Sequence, residues 1–184
     1  MREFRALATA AHSNLEMDLL PQYASFPEFP ETAETFAENA AGKAFYYSRT
    51  CENMVFSDDS GLVVPALGGA PGVRSARYAG IGASNDQKIA KLLAALHDKK
   101  GAERCAYFVC VIAVAQFGRA IAVVSGKVDG EILEAPRGTG GFGYDPVFYF
   151  PALGKTFAEL PPHEKNTRSH RGTAFRHLIQ ALES

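Results

Sequence analysis

The sequence contains few cysteines, and their positions indicate neither a disulfide nor a metal site. Only 3 cysteines occur among the 184 residues, at Cys51, Cys105 and Cys110. Cys105 and Cys110 lie in one apolar, strand-like run with an odd spacing, so their side chains point to opposite faces and cannot pair within that strand. The three also lack the paired spacing of a zinc site. We therefore expect reduced, buried thiols, which fits a cytoplasmic protein.

The sequence also lacks an excess of either charge and a long apolar run. The 19 basic and 20 acidic residues give a net charge of -1, which argues against a general nucleic-acid binder. The longest apolar run, Ala106 to Gln116, is about half of the roughly 20 residues that a membrane helix needs and indicates a buried strand. The residues after Met1 do not have the pattern of a signal peptide. We expect a folded protein with no nucleic-acid or membrane partner.

Repeats, low-complexity tracts and linkers are absent, which favours a single domain over residues 1–184. Apolar periodicity, with N-caps at Thr32 and Ser84, predicts helices over residues 2–10, 33–48, 86–97 and 172–182. Extended segments are predicted over residues 54–57, 62–64, 104–116, 119–128 and 146–150. The pair Phe117-Gly118 is predicted to connect two of these segments as a hairpin. Helices alternating with hairpin strands indicate an α/β fold with a mixed sheet flanked by helices.

A glycine-rich segment, Gly138 to Gly143, matches the pattern G-x-G-x-x-G. The dinucleotide-binding fingerprint requires a strand before this pattern and a helix after it, and no helix can start on the residues that follow here. The Rossmann interpretation therefore fails. What remains is a loop whose backbone can approach a ligand closely, with Phe142 and Tyr144 as stacking faces for a base. A plain turn is the alternative.

Two acidic patterns are candidates for a magnesium site. Asp58-Asp59-Ser60-Gly61 follows an apolar extended stretch, and neighbouring carboxylates at a strand end can hold Mg²⁺ through one or two oxygens. An Asx-rich turn explains the same residues. Upstream, acidic side chains recur on one helix face, with Asn39 and Lys43 on a neighbouring face. A solvated helix surface is the alternative interpretation of that face.

Three histidines, His163, His170 and His177, recur every seven residues. On a helix this spacing is about 10.5 Å, which is too long for ligands of one zinc ion. His170 instead lies close to Lys165 and Arg171 in the sequence. Such donors can bind a phosphate or the edge of a base, or they lie on the surface. Motifs of the P-loop and of the serine-hydrolase nucleophile are absent.

Six motifs occur in order along most of the chain: Glu38-Asn-Ala-x-x-Lys-Ala44, Ser57-Asp-Asp-Ser-Gly-Leu62, Leu67-Gly-Gly-Ala-Pro-Gly-Val-x-Ser-Ala-Arg-Tyr-Ala-Gly80, Gly140-Gly-Phe-Gly-Tyr-Asp-Pro146, Gly154-Lys-Thr-x-Ala-Glu-Leu160 and Glu164-Lys-Asn-x-x-Ser-His-Arg-Gly172. Together they closely resemble the inosine/xanthosine triphosphate pyrophosphatase family. The resemblance implies a Mg²⁺-dependent diphosphatase that converts ITP, dITP or XTP into the monophosphate and pyrophosphate. It also implies a long twisted mixed β-sheet flanked by helices, two lobes with the substrate cleft between them, and a homodimer.

The resemblance further implies roles for individual residues. Asp59 would be the general base and a metal-linked carboxylate, with Glu31 as a second metal ligand. Residues that would bind the substrate are Ser60, Phe142, Gly143, Tyr144, Asp145, Lys165, His170 and Arg171. Asn39 and Lys43 are further candidates for substrate binding.

One departure concerns the start of the chain. Members of the family begin with a strand and a Ser/Thr-x-Asn-x-x-Lys phosphate loop, whereas Met1 aligns with the start of the helix that follows them. We expect that this strand and loop are missing here. A catalytically weakened protein that binds purine nucleotides is therefore the alternative function, and a pyrophosphatase acting on pyrimidine or modified nucleotides is a third.

Overall fold

The computed structural model describes residues 2–11, 13, 15–21 and 23–183. Its α-helices are α1 (Arg2–Ala10), α2 (Phe36–Tyr47), α3 (Asn85–Ala95), α4 (Pro162–Arg168) and α5 (His170–Glu183). Its strands are β1 (Val55–Val63), β2 (Cys105–Gln116), β3 (Arg119–Ile132), β4 (Phe148–Phe150) and β5 (Lys155–Thr156). Short 3-10 helices lie at Tyr23–Ser25, Pro65–Leu67, Gly72–Arg77, Gly101–Arg104, Pro151–Leu153 and Phe157–Glu159.

The five strands form one sheet in the order β1-β2-β3-β4-β5, so strands that follow each other in the chain are neighbours. Strand β4 pairs antiparallel with both β3 and β5, with Tyr149 opposite Glu131 on one side and Thr156 on the other. The β2–β3 connection is the predicted hairpin turn. Phe117 and Gly118 have positive φ angles of 51° and 69°, as a two-residue turn that matches the strand twist requires. The α/β class with a sheet flanked by helices is confirmed.

The chain divides into two compact units, each with its own core. The first unit comprises Met1–Asp59, Cys110–Gly126 and His170–Ser184. In it Phe4 packs against Phe56 and Phe175, with ring centroids 5.1 and 5.6 Å apart. Phe4 thus lies on the buried face of α1. Core residues of this unit are Phe4, Leu7, Ala8, Cys110, Ile112, Val114, Ala174, Phe175, Leu178 and Ile179.

The second unit comprises Ser60–Val109 and Lys127–Ser169. Helix α3 begins at the predicted cap, because the Ser84 side chain accepts a hydrogen bond from the Gln87 N–H and the Gln87 side chain binds the Ser84 N–H in return. Its apolar face joins a cluster of aromatic rings from the strands. The buried residues of this core are Leu62, Val64, Ile89, Leu92, Leu96, Ala106, Phe108, Val128, Ile132, Tyr144, Val147, Phe148, Phe157 and Leu160.

Helix α2 begins later than predicted, and its cap is Thr35 rather than Thr32. The Thr35 hydroxyl accepts a hydrogen bond from the Glu38 N–H at 3.2 Å and donates to the Glu38 carboxylate at 2.8 Å. Thr35 and Glu38 have the spacing of a capping box, which outcompetes the threonine three residues upstream. The segment before Thr35, including Glu31, therefore lies outside the helix.

The prediction that Asp58-Asp59-Ser60-Gly61 separates two extended segments was wrong, because all four residues lie inside β1. Strand β1 is bonded to β2, and both aspartates have side-chain partners. These tertiary hydrogen bonds replace the local ones that an Asx turn would offer.

Two further expectations concern the cysteines and the membrane. None of the three cysteines takes part in a disulfide, but only Cys110 is buried, whereas Cys51 is half-buried and Cys105 is exposed. The expectation of three buried thiols was therefore wrong for Cys51 and Cys105. Among the helices of the described residues, none combines the length and the apolar character needed to cross a membrane.

Candidate functional site

The two adjacent aspartates of β1 point in opposite directions. Successive side chains of a strand alternate between its two faces, and Asp59 meets Asn39 on α2 whereas Asp58 meets Arg171 on α5. A pair of neighbouring carboxylates at a strand end, as the sequence suggested, is therefore not present. Each aspartate belongs to a different cluster of side chains in the first unit.

Asp59 is held by α2 through a fully buried amide. The Asn39 side chain, which is 1% exposed, donates its Nδ2–H to Asp59 Oδ2 at 2.9 Å and accepts the Ala33 N–H at 3.0 Å. A second bond fixes the same two elements, because the Ser57 hydroxyl donates to the Ala40 carbonyl at 2.6 Å. Asn39 is a neutral donor, so its hydrogen bond orients the carboxylate without supplying a positive charge. Ser60 follows on β1 as a half-buried residue.

Glu31 and Lys43 form an ion pair, with side chains that are 31% and 19% exposed. Lys43 is one turn beyond Asn39 on α2, and Glu31 lies two residues before Ala33, whose N–H Asn39 binds. The structure thus places two side-chain pairs at α2 in the first unit, Lys43 with Glu31 and Asn39 with Asp59. The assignment of Glu31 as a metal ligand and of Lys43 as a substrate contact remains a prediction.

Asp58 is engaged by the guanidinium group of Arg171. The Nε and Nη2 groups of Arg171 donate to Asp58 Oδ2 at 3.3 and 3.0 Å, and Nη1 donates to Glu3 on α1 at 2.7 Å. Burial lowers the pKa of Arg171, but the carboxylates of Asp58 and Glu3 outweigh this effect, and the net pKa is raised. Arg171 therefore stays charged and ties α1, β1 and α5 together.

The first turn of α5 carries His170 and lies unusually close to β3. A Cβ added at Gly126 would collide with the backbone of His170 and Ala174, so only glycine permits this approach. His170 is 7% exposed and is the first residue of α5, so this helix begins two residues earlier than predicted. His177 instead lies on the exposed side and donates from Nδ1 to the Ser125 carbonyl at 2.8 Å. His163 is exposed and belongs to α4, a different helix.

An open groove of about 810 Å³ lies in the first unit, beside these clusters. Lys43, Ser57 and Asp58 contribute polar groups to its wall, and Phe4 and Tyr47 contribute aromatic surface. A volume of this size falls within the range of about 300–1,000 Å³ for small-molecule sites. A wall of this kind suits a ligand with both polar and apolar parts.

In the second unit, the glycine-rich loop is docked on the Phe157–Glu159 segment. The Gly140 N–H donates to the Ala158 carbonyl at 3.0 Å, and a Cβ at Gly138 would lie 2.7 Å from the Ala158 carbonyl carbon. At the base of the loop, Arg137 forms an ion pair with Glu159 at 2.9 Å. Arg137 lowers the pKa of Glu159 through this hydrogen bond. These contacts explain why the loop needs glycine at several positions.

Asp145 and Lys165 form a buried pair at the end of this loop. Their atoms Oδ2 and Nζ are 2.5 Å apart, and the side chains are 3% and 9% exposed. The same oxygen accepts the Phe142 N–H at 2.7 Å, and the Lys165 ammonium lies 4.4 Å from the centre of the Phe142 ring. Phe142 itself is 55% exposed. The pair thus presents an aromatic ring to solvent with a cation against its face.

Tyr144 is buried, and its hydroxyl donates to the Ser75 carbonyl at 2.9 Å. Burial raises the pKa of Tyr144. The Ser75 hydroxyl accepts the Leu62 N–H at 2.9 Å and donates to the Gly72 carbonyl at 2.6 Å. Ser75 thereby connects the glycine-rich loop with the end of β1. Gly143 has a φ of +62° and open space around its Cα, so it serves the turn rather than a close contact.

Sequence reasoning missed two of these residues, Ser75 and Glu3. Ser75 lies inside a motif quoted above, but nothing in its spacing identifies the partners of its hydroxyl and carbonyl groups. Glu3 is separated from Arg171 by 168 positions, so no local pattern connects them. Only the packing of α1 on α5 reveals that contact.

The donor chemistry of the first unit fits a magnesium ion that is bound together with a phosphate ligand. Among the described residues no group of three or more His, Cys, Asp or Glu side chains forms a ready-made metal cage. Mg²⁺, however, is usually held by one or two carboxylates, while water and substrate phosphates complete its octahedron. Asp59 offers a carboxylate oriented by Asn39, and Glu31 offers a second carboxylate beside Lys43 of the same helix α2.

Fold and side chains define an α/β protein with an oriented carboxylate in its first unit and, in its second unit, a buried lysine against an exposed aromatic ring. The chain belongs to the Ham1 family, whose match covers residues 1–181. It is 52% identical over 183 residues to a dITP/XTP pyrophosphatase of Geobacillus kaustophilus, and the alignment covers 100% of this chain and 89% of that protein.

Solved structures support the same assignment. A HAM1 protein from Coxiella burnetii superposes with a TM-score of 0.89 at 40% identity, covering 99% of this chain and 93% of the other. The Ham1 protein of Staphylococcus aureus gives a TM-score of 0.82 at 42% identity, covering 88% and 83%. The family resemblance indicated by the six motifs is thus confirmed.

Proposed function

We propose that this chain hydrolyses dITP, XTP and ITP to the nucleoside monophosphate and pyrophosphate, and that the reaction requires Mg²⁺. The observation that carries the proposal is the match over the whole chain, at 52% identity, to a relative named dITP/XTP pyrophosphatase. At the coarser level the activity is that of a nucleoside triphosphate diphosphatase. A homodimer in the cytoplasm, which the family resemblance implies, is part of the same proposal, and sedimentation velocity tests the dimer.

At the phosphate end, Asp59 is the general base. A water molecule attacks the α-phosphorus, its proton passes to the Asp59 carboxylate, and the bond from that phosphorus to the oxygen leading to the β-phosphate breaks. Asn39 holds the carboxylate in one orientation through its hydrogen bond to Oδ2. Asp59 and Glu31 would hold Mg²⁺, which would supply charge neutralisation at the phosphate oxygens. Lys43, which is ion-paired with Glu31, is a second cation for the same anion.

At the base end, Phe142 stacks on the purine and Lys165 donates a hydrogen bond to the edge of the purine. The exposed Phe142 ring has the geometry for stacking, and Asp145 fixes it by accepting the Phe142 N–H. The ammonium group of Lys165 is a donor only. It therefore suits the 6-oxo oxygen of inosine and xanthine, whereas the 6-amino group of adenine would leave the donor unpaired. A mismatch of this kind discriminates by about 10⁴- to 10⁵-fold.

The test is an assay of pyrophosphate release from dITP, XTP, ITP, GTP, ATP and dTTP, with Mg²⁺ and with EDTA. We expect turnover of the first three nucleotides, little turnover of ATP, and loss of activity in EDTA. Binding of ITP without pyrophosphate release would instead support the catalytically weakened protein. Preferred turnover of dTTP would support a pyrophosphatase for pyrimidine nucleotides.

A further inference from the structure

Asn39 is a buried polar side chain whose hydrogen bonds are directed into the protein. It is 1% exposed, and each end of its amide has a defined partner. The oxygen accepts the Ala33 N–H at 3.0 Å, and the nitrogen donates to Asp59 Oδ2 at 2.9 Å. Since a backbone N–H can only donate, it fixes which end of the amide is the oxygen, and the Nδ2 group must then face Asp59.

We infer that Asn39 is a positioning residue, which sets the orientation of the Asp59 carboxylate and does not contact the substrate. This inference rests on the proposed function, in which Asp59 takes the proton from water. The amide cannot turn away without breaking its bond to Ala33, so its donor is held against one oxygen of the carboxylate. Helix α2 itself is fixed on β1 by the bond from Ser57 to the Ala40 carbonyl. The carboxylate is therefore oriented before substrate arrives.

This role differs from two others that the position allows. As a substrate ligand, Asn39 would contribute to KM. As a purely structural residue, it would contribute to stability with no specific effect on the chemical step. A positioning residue instead lowers kcat at nearly constant KM, because small misplacements of a reacting group cost about 10²-fold in rate.

The experiment compares Asn39→Ala with a matched control, Ser48→Ala. Ser48 is also fully buried at the end of α2 and also makes two hydrogen bonds, to the Gly118 N–H at 3.0 Å and the Phe45 carbonyl at 3.2 Å. Steady-state pyrophosphate release from dITP gives kcat and KM for wild type and both variants. If Asn39→Ala does not fold, Asn39→Ser replaces it, because a helical serine can satisfy its hydroxyl on the carbonyl one turn back.

For Asn39→Ala we expect kcat to fall about 100-fold with KM within about 3-fold of wild type, a pattern of lost transition-state stabilisation. Ser48→Ala is expected to keep both constants close to wild type. A raised KM with unchanged kcat would make Asn39 a substrate ligand and overturn the inference. Equal constants for Asn39→Ala and Ser48→Ala would overturn it in favour of a structural role.

A second measurement reports on the Asn39–Asp59 contact without any activity. The loss of Tm caused by Asn39→Ala is measured in wild type and in Asp59→Ala, by thermal unfolding without nucleotide or metal. The loss is expected to be smaller when Asp59 is already absent, because the two side chains are coupled. Equal losses would overturn the inference. If wild type releases no pyrophosphate while the Tm values are coupled, the proposed function fails and the contact stands.

Discussion

At the scale of single residues, Asp58 and Asp59 are neighbours in sequence with different partners. Asp58 accepts from the charged guanidinium of Arg171, whereas the Asn39 amide that binds Asp59 is neutral. Two nitrogens of the Arg171 guanidinium group donate to Asp58 Oδ2, so this carboxylate serves the contact between β1 and α5. We therefore give Asp58 a structural role at Arg171 and keep Asp59 as the proposed general base.

Replacing Asp59 by asparagine tests this assignment. The amide is nearly the same size and can still accept from Asn39, but it cannot take a proton from water. We expect kcat for Asp59→Asn to fall by about 10²- to 10⁴-fold, the usual contribution of a general base. Calorimetry with ITP should show retained nucleotide binding. Asp129→Asn makes the same chemical change at an exposed site paired with Lys127 and should leave kcat unchanged. Wild-type turnover by Asp59→Asn would contradict the assignment.

At the scale of elements, patterns that depend on nearby residues predicted the fold best. The N-cap of α3 at Ser84 and the hairpin turn at Phe117-Gly118 were both correct. The predicted start of α2 was wrong although the signal was present, since Thr35 caps the helix through the Glu38 N–H and also binds the Glu38 carboxylate. The turn predicted at Asp58-Asp59 was wrong for another reason. Strand pairing with β2 and partners on α2 and α5 hold these residues extended, and none of these contacts is local in sequence.

The candidate site shows the same difference between local patterns, which the sequence predicts, and contacts between distant residues, which it does not. The family motifs identified its residues, but their pairings depend on contacts between distant parts of the chain. Lys165 and Asp145 are 20 positions apart, and Tyr144 reaches Ser75 across 69. Spacing rules for helices and strands cover only a few residues and cannot predict such pairs. Physical reasoning therefore proposed the chemistry of the site and left its hydrogen bonds undetermined.

The glycine-rich loop provides a test at this scale, because two of its glycines have similar φ angles and different surroundings. Gly141 has φ +70°, and a Cβ there would collide with Asp145 Oδ2; Gly143 has φ +62° and nothing within 4 Å. Gly143→Ala should cost about 1–2 kcal/mol from the left-handed conformation alone. Gly141→Ala should lower the free energy of unfolding by about 1–3 kcal/mol more than Gly143→Ala does, because of the clash with Asp145.

Urea unfolding of both variants measures this difference. The collision at Gly141 also displaces the carboxylate that holds Lys165 and the Phe142 N–H, so we expect Gly141→Ala to raise KM for ITP more than Gly143→Ala does. Equal stabilities of the two variants would show that the loop relaxes away from Asp145.

At the scale of the whole molecule, stability should depend on pH through a few groups with shifted pKa values. Hydrogen bonding to Arg137 lowers the pKa of Glu159. The ionised Glu159 therefore adds to the stability of the folded protein at pH values above the ordinary glutamate pKa, and this stabilisation is lost as the pH falls. Burial raises the pKa of Tyr144, so the folded protein holds this proton where the unfolded chain releases it. The stabilisation from Tyr144 is complete below the ordinary tyrosine pKa of about 10, and it is lost as the pH rises above that pKa.

The alkaline side gives the sharper prediction, because Tyr144 is one buried group in the core of the second unit. Above pH 10 the free energy of unfolding should fall by about 1.4 kcal/mol per pH unit from this tyrosine alone. Tyr144→Phe lacks the titrating hydroxyl, so it should be less stable than wild type at pH 8, by about 1 kcal/mol for the lost bond to Ser75. The gap should then close above pH 10 and reverse by pH 11.5, where the ionisation of this tyrosine in the unfolded chain has cost wild type about 2 kcal/mol.

Urea unfolding between pH 8 and 11.5 measures both curves. Tyr107→Phe makes the same chemical change at a half-buried position and should keep the alkaline slope, because Tyr144 is still present. A constant gap between wild type and Tyr144→Phe across this range would mean that Tyr144 ionises equally in the folded and unfolded states. The burial of Tyr144 and its bond to Ser75 would then not be maintained at alkaline pH.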